Sequence, residues 1–278
     1  MTASPSEPTE QTKQTEPPRQ TDPSEKPVAL VTGGGTGIGA ATARRLVEDG
    51  YAVLVAGRRR DRLDAVTAEL GDSVTPVQLD VTDPASVDAA FAGLDRLDVL
   101  VNNAGGALGV ERVEDGDLAK WEAMYATNVL GTVRVTQAAL PLLRRSPRTT
   151  IVMITSIAGD TAYEGGGGYV AAKHAEVAVS QTLRLELNGE PVRVIDIHPG
   201  MVHTEEFSLT RLDGDQAGAD KVYEGVDRPL VADDVAACVA FAVGLPQHVN
   251  IDTLVVKPVA QAAPHKLHRG AIDWTATS

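Results

Sequence analysis

Along most of the chain, short apolar runs alternate with longer stretches in which apolar residues recur at helical spacing. Residues 28–31, 51–56, 74–79, 97–101, 150–155, 192–197 and 253–256 are dominated by apolar side chains, as strands covered on both faces would be. Residues 40–49, 61–70, 84–92, 121–143, 169–187 and 235–243 read as helices. Local punctuation agrees. Gly50 stops the first helix, Asp83 stands before Pro84 as an N-cap, and Pro141 is a place for the long helix to bend. Strands alternating with helices predict an α/β fold, a doubly wound parallel sheet in a single domain. The pattern fails at the N-terminus. Residues 1–26 are rich in Pro, Ser, Thr, Glu and Gln, with almost nothing to bury, and are expected to form a disordered tail. The domain then spans 27–261, and 262–278 form a C-terminal extension with His265, Lys266, His268 and Arg269.

The most distinctive loops follow the C-terminal ends of strands, where such sheets bind ligands. After the first strand comes Thr32-Gly33-Gly34-Gly35-Thr36-Gly37-Ile38-Gly39, and then a helix. A strand, a glycine loop and a helix N-terminus present backbone N–H groups to a pyrophosphate. The glycines follow a Gly-x-x-x-Gly-x-Gly spacing rather than Gly-x-Gly-x-x-Gly. About 20 positions further on, an NAD site would carry an acid for the ribose 2′-hydroxyl. Here Gly57 is followed by Arg58-Arg59-Arg60, so a 2′-phosphate suits the place better. NADP is the expected cofactor, with Arg58 as the first contact and Arg59 as the second.

Composition narrows the classes of function. The net charge is −13, and no basic block extends beyond 58–60, which argues against nucleic-acid binding. The single cysteine, Cys238, lies in an apolar run and reads as a small buried hydrophobe. His198 and His203 flank a Pro-Gly turn without an acidic cluster and read as loop packing or pocket wall, so no metal site is expected. No run is long and apolar enough for a membrane span and no signal-peptide core is seen, so the cytoplasm is the expected location.

Tyr169 and Lys173 fall one helical turn apart, with Ser156 upstream at the end of a strand. A free phenol titrates near pH ~10, and a fixed cation beside it favours phenolate. A phenol, an ammonium and a hydroxyl can together move a proton on and off an alcohol or carbonyl oxygen. Tyr163 is a competing phenol, but Gly167 stands where its lysine would be. Residues 165–168 read as a flexible connection into the helix.

With these residues placed, residues 28 to about 260 resemble the short-chain dehydrogenase/reductase family. The likeness rests on the glycine loop, Asp80, Asn102-Asn103-Ala104-Gly105, Asn128, Ser156, Tyr169-x-x-x-Lys173 and Pro199-Gly200-x-Val202-x-Thr204. It implies a Rossmann-like sheet of about seven strands and assembly as a homotetramer or homodimer. It also implies that Tyr169 is the acid/base, with Lys173 tuning it and binding ribose, Ser156 at the substrate oxygen and Asn128 holding a relay water. On the same basis, Gly33, Thr36, Gly37, Ile38, Gly39, Arg58, Asp80, Val81, Asn103, Pro199, Gly200, Val202 and Thr204 would surround the cofactor. Asn102 reads rather as a loop stabiliser.

The segment after Thr204 and the chain's end look like the branch of NADP-dependent serine 3-dehydrogenases and 3-hydroxy acid dehydrogenases. That implies a small hydroxy acid as substrate, of the serine, allo-threonine or 3-hydroxypropionate type. A lid over 204–225 would carry Arg211 as the carboxylate's cation. The competing reading of Arg211 is a structural ion pair with Glu205, Glu206 or Asp215. Two other functions stay open: a reductase of a bulkier ketone or secondary metabolite, and a non-catalytic NADP-sensing regulator.

Overall fold

The computed structural model of the protein describes residues 25–275. The tail expected over 1–26 therefore lies almost wholly outside the described residues. From β1 (Val28–Thr32) the chain runs through α1 (Gly37–Glu48), β2 (Ala52–Gly57), α2 (Arg60–Leu70), β3 (Val74–Gln78), α3 (Pro84–Phe91) and β4 (Val99–Asn102). It continues through α4 (Leu118–Tyr125), α5 (Thr132–Leu143), β5 (Thr149–Ile154), α6 (Gly167–Glu186) and β6 (Val192–Pro199). Then come β7 (Val202–His203), α7 (Phe207–Arg211), α8 (Gln216–Tyr223), β8 (Leu230–Val231), α9 (Ala232–Gly244), β9 (Thr253–Val256), β10 (Gln261–Ala263) and β11 (Lys266–Leu267).

Seven strands form one parallel sheet in the order β3-β2-β1-β4-β5-β6-β9. Alternate residues of each strand feed opposite faces. Ala29 and Val31 of β1 join Leu46, Leu63, Val235 and Val239 on the α1, α2 and α9 side. Leu30 joins Leu100, Ile151, Val135 and Leu143 on the other side. Both faces are covered at the sheet's centre, which is why β1, β4, β5 and β6 read as buried runs, while the edge strands β3 and β9 keep exposed positions. The strand order reverses between β1 and β4, so their connections leave in opposite directions and open a crevice at the C-terminal edge.

Two elements differ from the sequence expectation. The helix expected over 121–143 starts at Leu118, where Asp117 accepts from Ala119 N at 2.9 Å, and it widens into a π-helical turn over Ala126–Gly131. Asn128 gives the reason. Its Nδ2 donates to Met124 O at 2.8 Å and to Gly106 O at 3.0 Å, so a side chain takes a carbonyl of the helical ladder. The other end of that helix behaves differently, since α5 runs through Pro141 to Leu143.

Second, Gly167 and Gly168 are not a loose connection but the first turn of α6. A Cβ on Gly168 would stand 2.9 Å from the Trp121 ring, and one on Gly167 the same distance from Trp121 Cζ2. The glycines let α6 pack directly on α4.

The chain's end, whose placement the sequence left open, packs on residues 225–228 of the same chain. Gly270 N donates to Gly225 O at 2.7 Å, Trp274 Nε1 donates to Asp227 Oδ2 at 2.8 Å, and the Arg228 guanidinium lies 4.6 Å from the Trp274 ring.

Candidate active site

A cavity of about 920 Å³ occupies the crevice at the ends of β1, β2 and β4. Its wall includes Gly33, Thr36, Gly37, Ile38, Arg58, Arg59, Asp80, Val81, Asn103, Tyr169, Lys173 and Thr204. The glycine loop shapes one end. Gly33 and Gly37 take φ of +64° and +51°, and a Cβ on Gly39 would overlap the Gly33 carbonyl. The first turn of α1 holds no acidic residue, and Thr36 makes no side-chain cap. The N-terminal N–H groups of α1 are thus left to an anion. Asn103 fixes the loop from below by donating Nδ2 to Thr32 O at 2.9 Å. Asn102, one residue earlier, is buried and donates to Thr136 Oγ1 at 2.9 Å, a packing contact.

The three arginines at 58–60 separate in the fold. Arg59 forms a bidentate pair with Glu206, and Arg60 pairs with Asp64 at 2.8 Å. Arg58 lines the cavity and makes no ion pair among the described residues. Asp80 accepts from Thr82 Oγ1 at 2.7 Å and Thr82 N at 2.9 Å. Those hydrogen bonds, with Arg58 nearby, hold its carboxyl below the usual range.

At the other end of the cavity, Tyr169 is buried on α6, edge-on to Phe207 of α7 with ring centroids 5.9 Å apart. Lys173 Nζ lies 5.9 Å from the Tyr169 centroid. Nζ donates to Ile154 O at 3.1 Å and to Glu176 Oε2 at 2.6 Å. Burial alone would lower the ammonium's pKa; Glu176, with Tyr169 and Asp196 beyond it, raises it above its ordinary value. Asn128 approaches the same spot, since a Cβ on Gly105 would overlap its Oδ1 and stand 3.6 Å from Lys173 Nζ. Ser156 follows β5, and its Oγ accepts from Ala158 N at 3.1 Å, which leaves the hydroxyl hydrogen to donate elsewhere.

Arg211 stands beside this end, outside the cavity wall, as do Asn128 and Ser156. Its Nε donates to Gly109 O at 3.1 Å, Nη1 to Tyr163 Oη at 3.1 Å and Nη2 to Gly165 O at 3.0 Å. The guanidinium lies 5.9 Å from the Tyr169 ring and 5.6 Å from the Tyr163 ring. The expected alternative of a pair with Glu205, Glu206 or Asp215 is not formed; Glu206 turns to Arg59 instead. Pro199, Gly200 and Val202 lie outside the cavity wall. A Cβ on Gly200 would press on Gln261 and Lys257, and Val202 pairs with Leu230. His203 does reach the wall and lies against Tyr223, with ring centroids 4.3 Å apart and planes tilted by 42°, whereas His198 is buried between Asp160 and Asp196. Cys238 is half-buried on α9, and burial pushes its thiol up.

Comparison with known proteins bears on this constellation. Residues 27–213 match the family model described as short chain dehydrogenase. The chain belongs to the short-chain dehydrogenase family. A member from Mycobacterium tuberculosis, an uncharacterized oxidoreductase, is 52% identical over 86% of this chain and 93% of its own. The NADP-dependent 3-hydroxy acid dehydrogenase YdfG of Salmonella typhi is 42% identical over 87% of this chain and 99% of its own. The closed form of serine dehydrogenase complexed with NADP+ superposes with a TM-score of 0.82 at 40% identity, covering 87% of this chain and 99% of that one. This short-chain dehydrogenase is an oxidoreductase acting on CH–OH groups, close to the serine and 3-hydroxy acid dehydrogenases.

Sequence reasoning passed over Glu176, Trp121 and the Arg59–Glu206 pair. Glu176 had a readable signal, a carboxylate three residues after Lys173 on the buried face of α6. The Arg59–Glu206 contact joins distant segments and had none.

Proposed function

We propose that the protein is an NADP-dependent dehydrogenase that oxidises the 3-hydroxyl of a small hydroxy acid, of the serine or 3-hydroxypropionate type. The observation that carries this reading is Arg211. It is a cation without an ion pair among the described residues, 5.9 Å from the ring of the proposed acid/base tyrosine. A substrate held by its hydroxyl at Tyr169 and by its carboxylate at Arg211 has to be short. The names of the Salmonella and serine dehydrogenase relatives point to the same substrates.

The crevice suits the cofactor. The uncapped N-terminus of α1 and its glycine loop would hold the pyrophosphate, Arg58 the 2′-phosphate, and Asp80 and Val81 the adenine side. When bound, NADP supplies a nicotinamide carbon that accepts hydride. The remaining work belongs to the protein. Tyr169 takes the hydroxyl proton as the C–O bond gains double-bond character. Ser156 donates a hydrogen bond to the same oxygen while its charge changes. Lys173 favours the phenolate form, and Asn128 holds the path by which the proton leaves. Residues 204–225 act as the lid, bringing Phe207 and Arg211 over the pocket. Assembly as a homodimer or homotetramer in the cytoplasm belongs to the same reading.

The test is absorbance at the nicotinamide band with NADP or NAD and a panel of L-serine, 3-hydroxypropionate and neutral secondary alcohols. Reduction of NADP by the hydroxy acids, faster than by neutral alcohols, is expected. Activity confined to bulky neutral alcohols would overturn the substrate assignment.

A further inference from the structure

Glu176 sits one turn beyond Lys173 on the face of α6 that carries Tyr169, and it is 2% exposed. Its Oε2 stands 2.6 Å from Lys173 Nζ, and Ile154 O accepts a second hydrogen from Nζ at 3.1 Å. An ammonium has three hydrogens, so one remains for the pocket. The other carboxylate oxygen, Oε1, accepts from Thr132 of α5 at 3.4 Å. A buried ion pair adds little stability over a well-packed apolar pair of the same volume. Folding alone therefore gives this carboxylate little reason to lie against the lysine.

We propose that Glu176 is a positioning residue for the proton-transfer pair: it fixes the Lys173 ammonium at the end of β5 and offsets part of its field at Tyr169. This rests on the roles given above to Tyr169 and Lys173. A cation beside a phenol favours phenolate, and a carboxylate bound to that cation opposes it. Glu176 thus sets the pH above which the enzyme turns over. The other charged and titratable groups around the pair are few. Burial pushes the Glu176 carboxyl up and Lys173 draws it back, Asp196 of β6 acts on both Lys173 and Glu176, Tyr169 acts on Tyr163 of the loop before α6, and Arg211 of α7 lies 5.9 Å from the Tyr169 ring. The contribution of α5, Thr132, is uncharged.

The variant Glu176→Gln keeps an acceptor for Nζ and removes only the charge. In that variant Nζ keeps Ile154 O as an acceptor, and Tyr169 and Asp196 are the groups left to oppose the lowering effect of burial. The acid limb of kcat/KM against pH, measured with NADP and the best hydroxy acid of the panel, should move to lower pH by about one unit. Glu176→Asp, which draws the carboxylate back by one methylene, should move it the same way by less, and it carries the test if the glutamine variant does not fold. Tyrosinate absorbance of the NADP complex, taken as a difference from Tyr169→Phe, reads the same shift without turnover. A limb that stays in place or moves to higher pH overturns the proposal, as does a fall in kcat with an unchanged profile. If Tyr169→Phe keeps turnover, it is the proposed function that fails. If Tyr169→Phe is inactive and the limb does not move, only the role of Glu176 falls.

Discussion

Glu206, just before α7, grips Arg59 at the start of α2 through two hydrogen bonds, Nη1 to Oε1 at 2.9 Å and Nη2 to Oε2 at 2.6 Å. Thr36 of the glycine loop donates to the same carboxylate at 3.2 Å. These hydrogen bonds, Arg59's first, hold the Glu206 carboxyl below its usual range. One side chain thus ties the proposed lid to the proposed phosphate end of the cavity. The pair is largely open to solvent, with Arg59 52% exposed, so it adds only about 0–1 kcal/mol. Glu206→Ala should leave global stability nearly unchanged. Amide exchange in 207–223 should quicken up to roughly fivefold, the equivalent of about 1 kcal/mol of local opening. Unchanged exchange there would mean that the pair does not hold the segment.

Cofactor choice should rest on Arg58, since Arg59 and Arg60 are engaged with carboxylates. Losing a charge-assisted contact to a 2′-phosphate costs about 1.5–3 kcal/mol. Arg58→Ala should therefore lower the ratio of kcat/KM with NADPH to that with NADH by roughly ten- to hundredfold. An unchanged ratio would remove Arg58 from the phosphate site.

Arg211→Ala should raise KM for L-serine or 3-hydroxypropionate about tenfold or more and leave a neutral alcohol within about twofold. Part of the loss comes from Gly109 O, Tyr163 and Gly165 O, which the guanidinium also organises. The neutral alcohol separates that structural share from carboxylate binding.

His198 carries a pH-dependent share of stability. Its Nδ1 is hydrogen-bonded to Asp160 Oδ2 at 2.6 Å, and its Nε2 stands 3.1 Å from Asp196 Oδ1, so both carboxylates favour the imidazolium. Burial alone would lower its pKa; Asp196 and Asp160 together raise it above the ordinary value. A raised folded-state value means that the contribution is complete below the unfolded histidine's pH of about 6.5, and is lost as pH climbs through the folded value. The urea stability gap between wild type and His198→Gln should therefore be wide in mild acid and narrow in mild alkali. The reverse trend would show that His198 is held neutral.

The sheet was legible because its central strands β1, β4, β5 and β6 are buried on both faces and its helices are patterned between the strands. All seven expected strands are present within one to two residues of their expected ends. The placing of the glycine loop, Tyr169 and Lys173 at one cavity was legible because it depends on local spacing. The widened turn at Asn128 was not, because it arises when that side chain reaches Gly106, far along the chain. Nor were Gly167 and Gly168, whose role depends on Trp121 packing against them. Arg211 was legible as a cation, but its carbonyl partners on two other loops were not.

The central claim is that Tyr169, beside Lys173, moves the proton of the reaction. It is tested most directly by Tyr169→Phe, with NADPH binding followed by fluorescence and turnover followed at the nicotinamide band. General acid–base catalysis contributes about 10²–10⁴-fold. Turnover should fall by at least that much while the dissociation constant for NADPH stays within about threefold, because the loop, α1 and Arg58 are untouched. Turnover within tenfold of wild type, with binding intact, would contradict the account.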